Sequence, residues 1–158
     1  MPARSRRRSP DKPRLQNTVR LSAEGFAKVL GDLESRVMRT IWAIGKPAPA
    51  RVVHGRIVRA HPVASLTVIT VLNKLVAKGL LRREKHDDLL HFSATMSENE
   101  FRAQTSRRVV EGILSLGPEA VTSSFVDVLA ERDPEQLAAL GRLVRRKLRD
   151  VARDGDAE

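Results

Sequence analysis

Residues 65–78 read SLTVITVLNKLVAK. Val68, Val71, Leu72 and Leu75 recur at helical spacing and make one apolar stripe. At about 100° per residue, Leu66, Thr70, Asn73 and Ala77 point the opposite way, with Thr67, Ile69 and Lys74 on the flanks. The outer face is short, mildly polar and free of acid. Such a face can enter a groove that a long, acidic face could not. Pro62 precedes the stretch and Gly79 follows it, a start and a stop. Taken alone, the pattern also fits an ordinary amphipathic helix of a bundle. Its neighbours decide.

Upstream, the spacing of Leu33, Val37, Ile41 and Ile44, widened by Met38 and Trp42, predicts a helix from Asp32 to Ile44. Asp32 is placed to cap it, Gly45 to end it, and Pro47 and Pro49 to keep the next loop extended. A short helix is also expected over residues 22–29. A second helix covers about Ala50 to Ala60, with Val52, Val53 and Ile57 inward. After Gly79 the period changes. LLRREKH and LLHFSAT flank Asp87-Asp88, a hairpin tip. Helix, helix, helix, hairpin is a winged helix-turn-helix, and the second of the two closely joined helices is its groove-reader. The fold class is therefore mainly α, with a winged helix-turn-helix followed by a helical C-terminal part.

That C-terminal part starts at Ser97, where S-E-N-E makes a capping box with Glu100. Phe101, Val109, Val110, Ile113, Leu114 and Leu116 then supply apolar surface. Another helix covers Glu119 to Ala130, and a last one begins at Asp133-Pro134 with the stripe Leu137, Leu140, Val144, Leu148 and Val151. Three such helices are marginal for an independent core. Burial against a second copy resolves this, so residues 97–153 read as a dimerisation domain, with Phe101, Val109, Ile113, Leu137, Leu140, Val144 and Leu148 at its interface. Packing back onto the first domain is the alternative. Residues 1–28 form a basic arm, 29–96 the winged helix and 154–158 a fraying tail. A chain cut at Ala94 is expected to leave a folded monomer.

Charge divides along the same lines. The net +10 is spread as +6 over residues 1–20, zero over 21–30, +6 over 31–94 and −2 over 95–158. The basic part suits a polyanion. Residues 1–20 are rich in Arg, Pro and Ser and too poor in apolar groups to offset ordering entropy. Arg6, Arg7 and Arg8 of this arm can track phosphates or enter a minor groove, or simply solubilise the chain. Anionic lipid is the competing polyanion, but no basic amphipathic helix with exposed Phe or Trp is evident. No apolar run approaches the roughly 18 residues of a membrane span. The charged N-terminus lacks the apolar segment of a secretory signal, so a cytoplasmic protein is expected.

With no cysteine there is no disulfide, no thiolate nucleophile and no zinc knuckle. His54, His61, His86 and His91 show neither an i, i+4 pair nor H-E-x-x-H, so no metal site is expected, although His86 and His91 can face each other across the hairpin. No catalytic constellation is present. The expectation is a non-enzyme that needs no cofactor. Its DNA contacts fall to Ser65 and Thr67 at the helix start, where hydroxyl and backbone N–H groups take a phosphate. Thr70 and Asn73 reach base edges, Asn pairing bidentately with adenine. Leu66 and Ile69 meet thymine methyls, and Lys74 takes a phosphate. The wing carries Arg82, Arg83 and Lys85. Alternation sends some of them toward solvent and DNA and leaves others to pair with Glu84 or helix acids, and Arg83 and Lys85 are the candidates.

The segments LGDLESRVMRTIW, VVHGRI, TVITVLNKLVAKGLLRRE and HFSA, in this order, resemble the penicillinase-repressor family, the BlaI/MecI type of bacterial transcriptional regulator. The resemblance covers about Leu30 to Val151 and is strongest from Leu30 to Ala94. It implies a homodimer that binds a dyad-symmetric DNA operator and represses transcription. It also implies a membrane sensor protease as partner, which cuts the C-terminal domain, with no membrane insertion of the repressor itself. The matching bond here is Ser124-Phe125, with Ser in place of the family's Asn. Leu66 stands where relatives usually carry Thr or Lys, the tip Asp87-Asp88 lacks their Gly and basic residues, and the long basic arm is additional. Two other functions stay open: a non-specific nucleic-acid-coating protein driven by the arm, and a protein-interaction module built on a winged helix.

Overall fold

A computed structural model describes residue 26 and residues 30–155 of the chain. The basic arm, including Arg6, Arg7 and Arg8, and most of the helix expected over residues 22–29 lie outside the described residues. The chain forms two compact units, divided between Arg107 and Arg108. The fold is mainly α, and the first unit is a winged helix.

In the first unit, α1 (Asp32–Ile44) is followed by β1 (Ala48–Pro49), α2 (Ala50–Ile57), α3 (Ser65–Ala77) and the hairpin β2 (Leu81–His86) and β3 (Leu89–Ala94). The core is aliphatic where the helices meet: Val37, Met38 and Ile41 from α1, Val53 and Ile57 from α2, Val68, Val71, Leu72 and Leu75 from α3. Each such side chain contributes about 1.5–3 kcal/mol when fully buried. The α3 stripe is the one its spacing predicts. Helix α2 is shorter than its pattern suggested, and Val52, expected inward, is 39% exposed. On a helix of two turns only the Val53/Ile57 edge reaches α1 and α3. Gly45 ends α1 at φ 69°, donating its N–H to the Ile41 carbonyl at 3.1 Å. That left-handed conformation suits Gly.

The extended Pro loop does more than connect. Ala48 and Pro49 pair antiparallel with Phe92 and His91, so the sheet has the order β1-β3-β2. Pro49 lacks an N–H, which confines it to an edge such as this one. At the hairpin tip Asp87 and Asp88 take φ 47° and 61°, the double positive φ of a type I′ turn.

Glu34 and Lys78 tie α1 to the end of α3. Lys78 Nζ donates to Glu34 Oε1 at 2.8 Å and Oε2 at 2.7 Å. Glu34 Oε2 also accepts the Gly31 N–H at 3.1 Å. The N-cap of α1 is Gly31, not Asp32, and the third helical residue supplies the cap. Burial alone pushes the Glu34 carboxyl up. The hydrogen bonds from Lys78 and Gly31, with the charges of Lys78 and Lys74, outweigh it and hold the carboxyl below the ordinary value.

The first turns of α4 (Glu98–Leu114) belong to this unit. Ser97 and Glu100 form the predicted capping box, the Glu100 N–H donating to Ser97 Oγ at 3.2 Å and the Ser97 N–H to Glu100 Oε2 at 2.7 Å. One turn on, Phe101 is 1% exposed. Its ring centroid lies 5.2 Å from that of Phe26 and 5.4 Å from that of Trp42, and those two are 5.5 Å apart. Trp42 Nε1 donates to the Met96 carbonyl at 2.9 Å. Phe101 is thus a core residue of the first unit. It has no surface left for a second chain, which corrects its expected place in a dimer interface. The unit also extends past the boundary expected after residue 96.

In the second unit, the rest of α4 is followed by α5 (Pro118–Arg132) and α6 (Pro134–Gly155). Asp133 caps α6 by accepting the Gln136 N–H at 3.0 Å. The helix runs to Gly155, into the stretch expected to fray. No residue of α5 or α6 is buried.

Two outcomes follow. Lys78→Met should cost about 1.5–3 kcal/mol, the range for hydrogen bonds to charged groups. Because the Glu34 pKa is lowered on folding, the pair's contribution is whole above the ordinary Glu value of about 4.3. It is lost as the pH falls through the lowered value. Urea midpoints of the two proteins should therefore converge in acid; a constant gap would contradict the pairing. Phe101→Ala should destabilise the first unit by about 3–5 kcal/mol. A chain cut at Ala94 should fail to fold cooperatively in urea, whereas one cut after Arg107 should fold.

Candidate nucleic-acid interface

Helix α3 presents two faces fixed by its core stripe. Ser65, Leu66, Thr67, Thr70, Asn73, Lys74 and Ala77 are exposed. Leu66 is 73% exposed, an aliphatic group held out in water. The N-cap, Ala64, offers no side-chain cap, and the first turn carries no acid. The N–H groups of that turn form the partly positive end of the helix dipole, and the Ser65 and Thr67 hydroxyls belong to the same turn. The turn into α3 is held from α2: His54 Nε2 lies 2.9 Å from the Val63 carbonyl. The carbonyl can only accept, so Nε2 carries a proton. Sequence spacing gave no sign of this role for His54.

The wing stands beside this face. In β2, Leu81, Arg83 and Lys85 share one side, opposite Ala94, Phe92 and Leu90. Leu81 and Phe92 are buried there, and alternation turns Arg83 and Lys85 the same way, both of them exposed. Arg83 Nη1 donates to Asn73 Oδ1 at 2.9 Å. That bond takes one of the two lone pairs of the Asn73 oxygen and turns the amide toward the wing. Thr70 Oγ1 donates to the Leu66 carbonyl at 3.0 Å, which leaves its oxygen as an acceptor toward solvent. Lys85 Nζ lies 2.7 Å from Asp88 Oδ1 at the turn, an exposed pair that water weakens. Arg82, on the opposite side of the strand, donates to Ser93 Oγ at 3.0 Å.

His86 and His91 face each other across the hairpin, ring centroids 5.6 Å apart. Among the described residues no cluster of three or more His, Asp or Glu could hold a metal ion. In the second unit, Val109, Ile113, Leu137 and Leu140 are half-buried, whereas Val144 and Leu148 are exposed. Ser124 and Phe125 lie in the middle of α5, Phe125 54% exposed. Among the described residues no single helix is long and apolar enough to cross a membrane.

Comparison with known proteins bears on residues 30–146, which match the model of the penicillinase repressor family. Two curated relatives, each named transcriptional regulator BlaI, come from Mycobacterium tuberculosis strains CDC 1551 / Oshkosh and ATCC 25618 / H37Rv. Both are 32% identical over 74 residues, covering 47% of this chain and 54% of the relative. The chain thus spans about half the length of the curated relatives it matches. A solved structure of the DNA recognition and protein interaction domains of HOP2 overlaps 39% of this chain and 97% of its own, at 18% identity and a TM-score of 0.37. The family match extends from α1 through α5 into α6 and takes in both units. The chain belongs to the penicillinase repressor family.

Proposed function

We propose that the protein is a DNA-binding transcriptional repressor that occupies a dyad-symmetric operator as a homodimer. The observation that carries the reading is the acid-free outer face of α3, set beside Arg83 and Lys85 in a member of this family. A helix fits the major groove, and two copies related by a dyad read half-sites a whole number of helical turns apart. Ser65, Thr67 and the uncapped N–H groups take a phosphate. Thr70 accepts a bond from a base edge, Leu66 and Ile69 meet thymine methyls, and Lys74 and Lys85 lie along the backbone. Arg6, Arg7 and Arg8 add phosphate contacts from the arm. The protein acts in the cytoplasm, as a regulator rather than an enzyme, and needs no cofactor.

Dimerisation is assigned to the second unit. Its helices expose Val110, Leu116, Phe125, Val128, Leu143, Val144, Leu148 and Val151, and none of α5 or α6 is buried. A set of helices this short does not bury a core alone, and a second copy supplies the missing cover along Val109, Ile113, Leu137, Leu140, Val144 and Leu148. Release is assigned to a membrane sensor protease that cuts at Ser124-Phe125. That bond sits inside α5, so cutting requires the helix to open locally.

Footprinting on genomic DNA should protect one discrete dyad. General coating of the DNA, or no protection, would overturn the reading. Leu148→Asp should shift the chain to monomer in sedimentation equilibrium and weaken operator binding by roughly tenfold or more, because two linked half-sites bind better than one. At the wing tip, Asp87→Asn with Asp88→Gly should raise the unfolding midpoint, since Asn-Gly suits the type I′ turn. The same change removes two acids and frees Lys85. It should raise affinity for duplex DNA at low salt, a gain that fades as salt is added.

A further inference from the structure

The hydrogen bond from Arg83 to Asn73 joins the wing to the exposed face of the groove-reading helix. Its two ends are unequal. The Asn73 oxygen gives one of its two lone pairs to Arg83, and that bond turns the amide toward the wing. An adenine edge presents one acceptor and one donor, so it asks for both ends of an amide. The Arg83 guanidinium spends one of five N–H groups, and the others stay in the plane of the fork.

The neighbouring cations are differently placed. Lys78 is bound to Glu34, Lys85 to Asp88, and Arg82 leans on Ser93 with Glu84 at 3.8 Å. Arg83 has no carboxylate partner among the described residues; a neutral amide holds it. Its charge is thus fixed in position without being neutralised. Lys85 shares Arg83's side of β2. An unneutralised fork held by an amide at the edge of the helix face, with Lys85 on the same side of its strand, favours a phosphate over a base.

We propose that Asn73 acts on DNA through Arg83. It holds the wing's guanidinium as a clamp for a backbone phosphate at the edge of the groove that α3 enters, and it reads no base itself. A tethered arginine loses less rotamer freedom on binding than a free one. This rests on the reading that the α3 and wing face binds duplex DNA.

The test is a double-mutant cycle across a salt series. Wild type, Asn73→Ala, Arg83→Ala and the double variant are titrated with a duplex of arbitrary sequence and with the duplex that wild type selects from a randomised pool. Arg83→Ala should lower the slope of log K against log salt by about 0.9 per bound chain. Asn73→Ala removes no charge, yet it should lower the slope in the same direction. The double variant should match Arg83→Ala alone, and base preferences should stay those of wild type throughout.

An unchanged slope in Asn73→Ala overturns the proposal, whether or not its base preference moves. A moved preference in Arg83→Ala makes the guanidinium a guanine reader and overturns it too, as do additive losses in the double variant. Wild type that binds neither duplex would instead remove the DNA-binding reading on which the proposal stands. Both side chains are exposed, so circular dichroism should show an unchanged fold. If Asn73→Ala unfolds, Asn73→Leu, which keeps the branch at Cγ, removes the same acceptor.

Discussion

Glu34 is a carboxylate almost sealed from water, seated in the first turn of α1. Left alone it would cost several kcal/mol. Lys78 reaches it from the end of α3, and the Gly31 N–H completes its shell. Two helix ends far apart in sequence are therefore held at one place. An apolar pair would fill the same space, but it would accept small slides and rotations of one helix on the other. A forked carboxylate bound to an ammonium through both oxygens does not. The rotational setting of α3 about its axis decides which side chains face outward, and the Val68, Val71, Leu72 and Leu75 stripe fixes that setting within the core. The ion pair fixes where the helix ends.

The wing depends on that placement. Hairpin strands twist and flex, and β2 is an edge strand. Leu81 and Phe92 anchor its base in the core, while beyond them the strand is exposed. The bond from Arg83 to Asn73 is then a second point of attachment, made only because α3 presents Asn73 at the right height. A shift of α3 by one residue would carry Asn73 away and leave Arg83 without its holder.

Periodicity alone located α1, α3 and α6, the hairpin and its tip, since each is a local pattern of apolar spacing or turn chemistry. It also separated the outer face of α3 from the inner one, residue by residue. What it missed were contacts between distant positions. Nothing in the pattern of α1 marks Glu34 as buried, because its partner is 44 residues away. Phe101 sits in a helical stripe that continues toward Val109 and Ile113, and the stripe reads as one surface. In three dimensions its first turn serves the Phe26 and Trp42 cluster, and only the later turns belong to the second unit. Strand β1 is two residues long and has no sequence signature of its own; it exists because Phe92 and His91 offer it a ladder. Asn73 was legible as an outward polar residue, but its bond to Arg83 was not.

Trp42 carries a practical consequence. The chain has one Trp and no Tyr, so its near-ultraviolet emission is in effect that of a single indole. That indole donates to the Met96 carbonyl and sits between two phenyl rings in the first unit. Its fluorescence is therefore a built-in optical probe of the winged helix and of the opening turns of α4. Loss of the turn that holds Phe101 changes the surroundings of this chromophore. Emission and far-ultraviolet ellipticity thus watch different parts of one molecule.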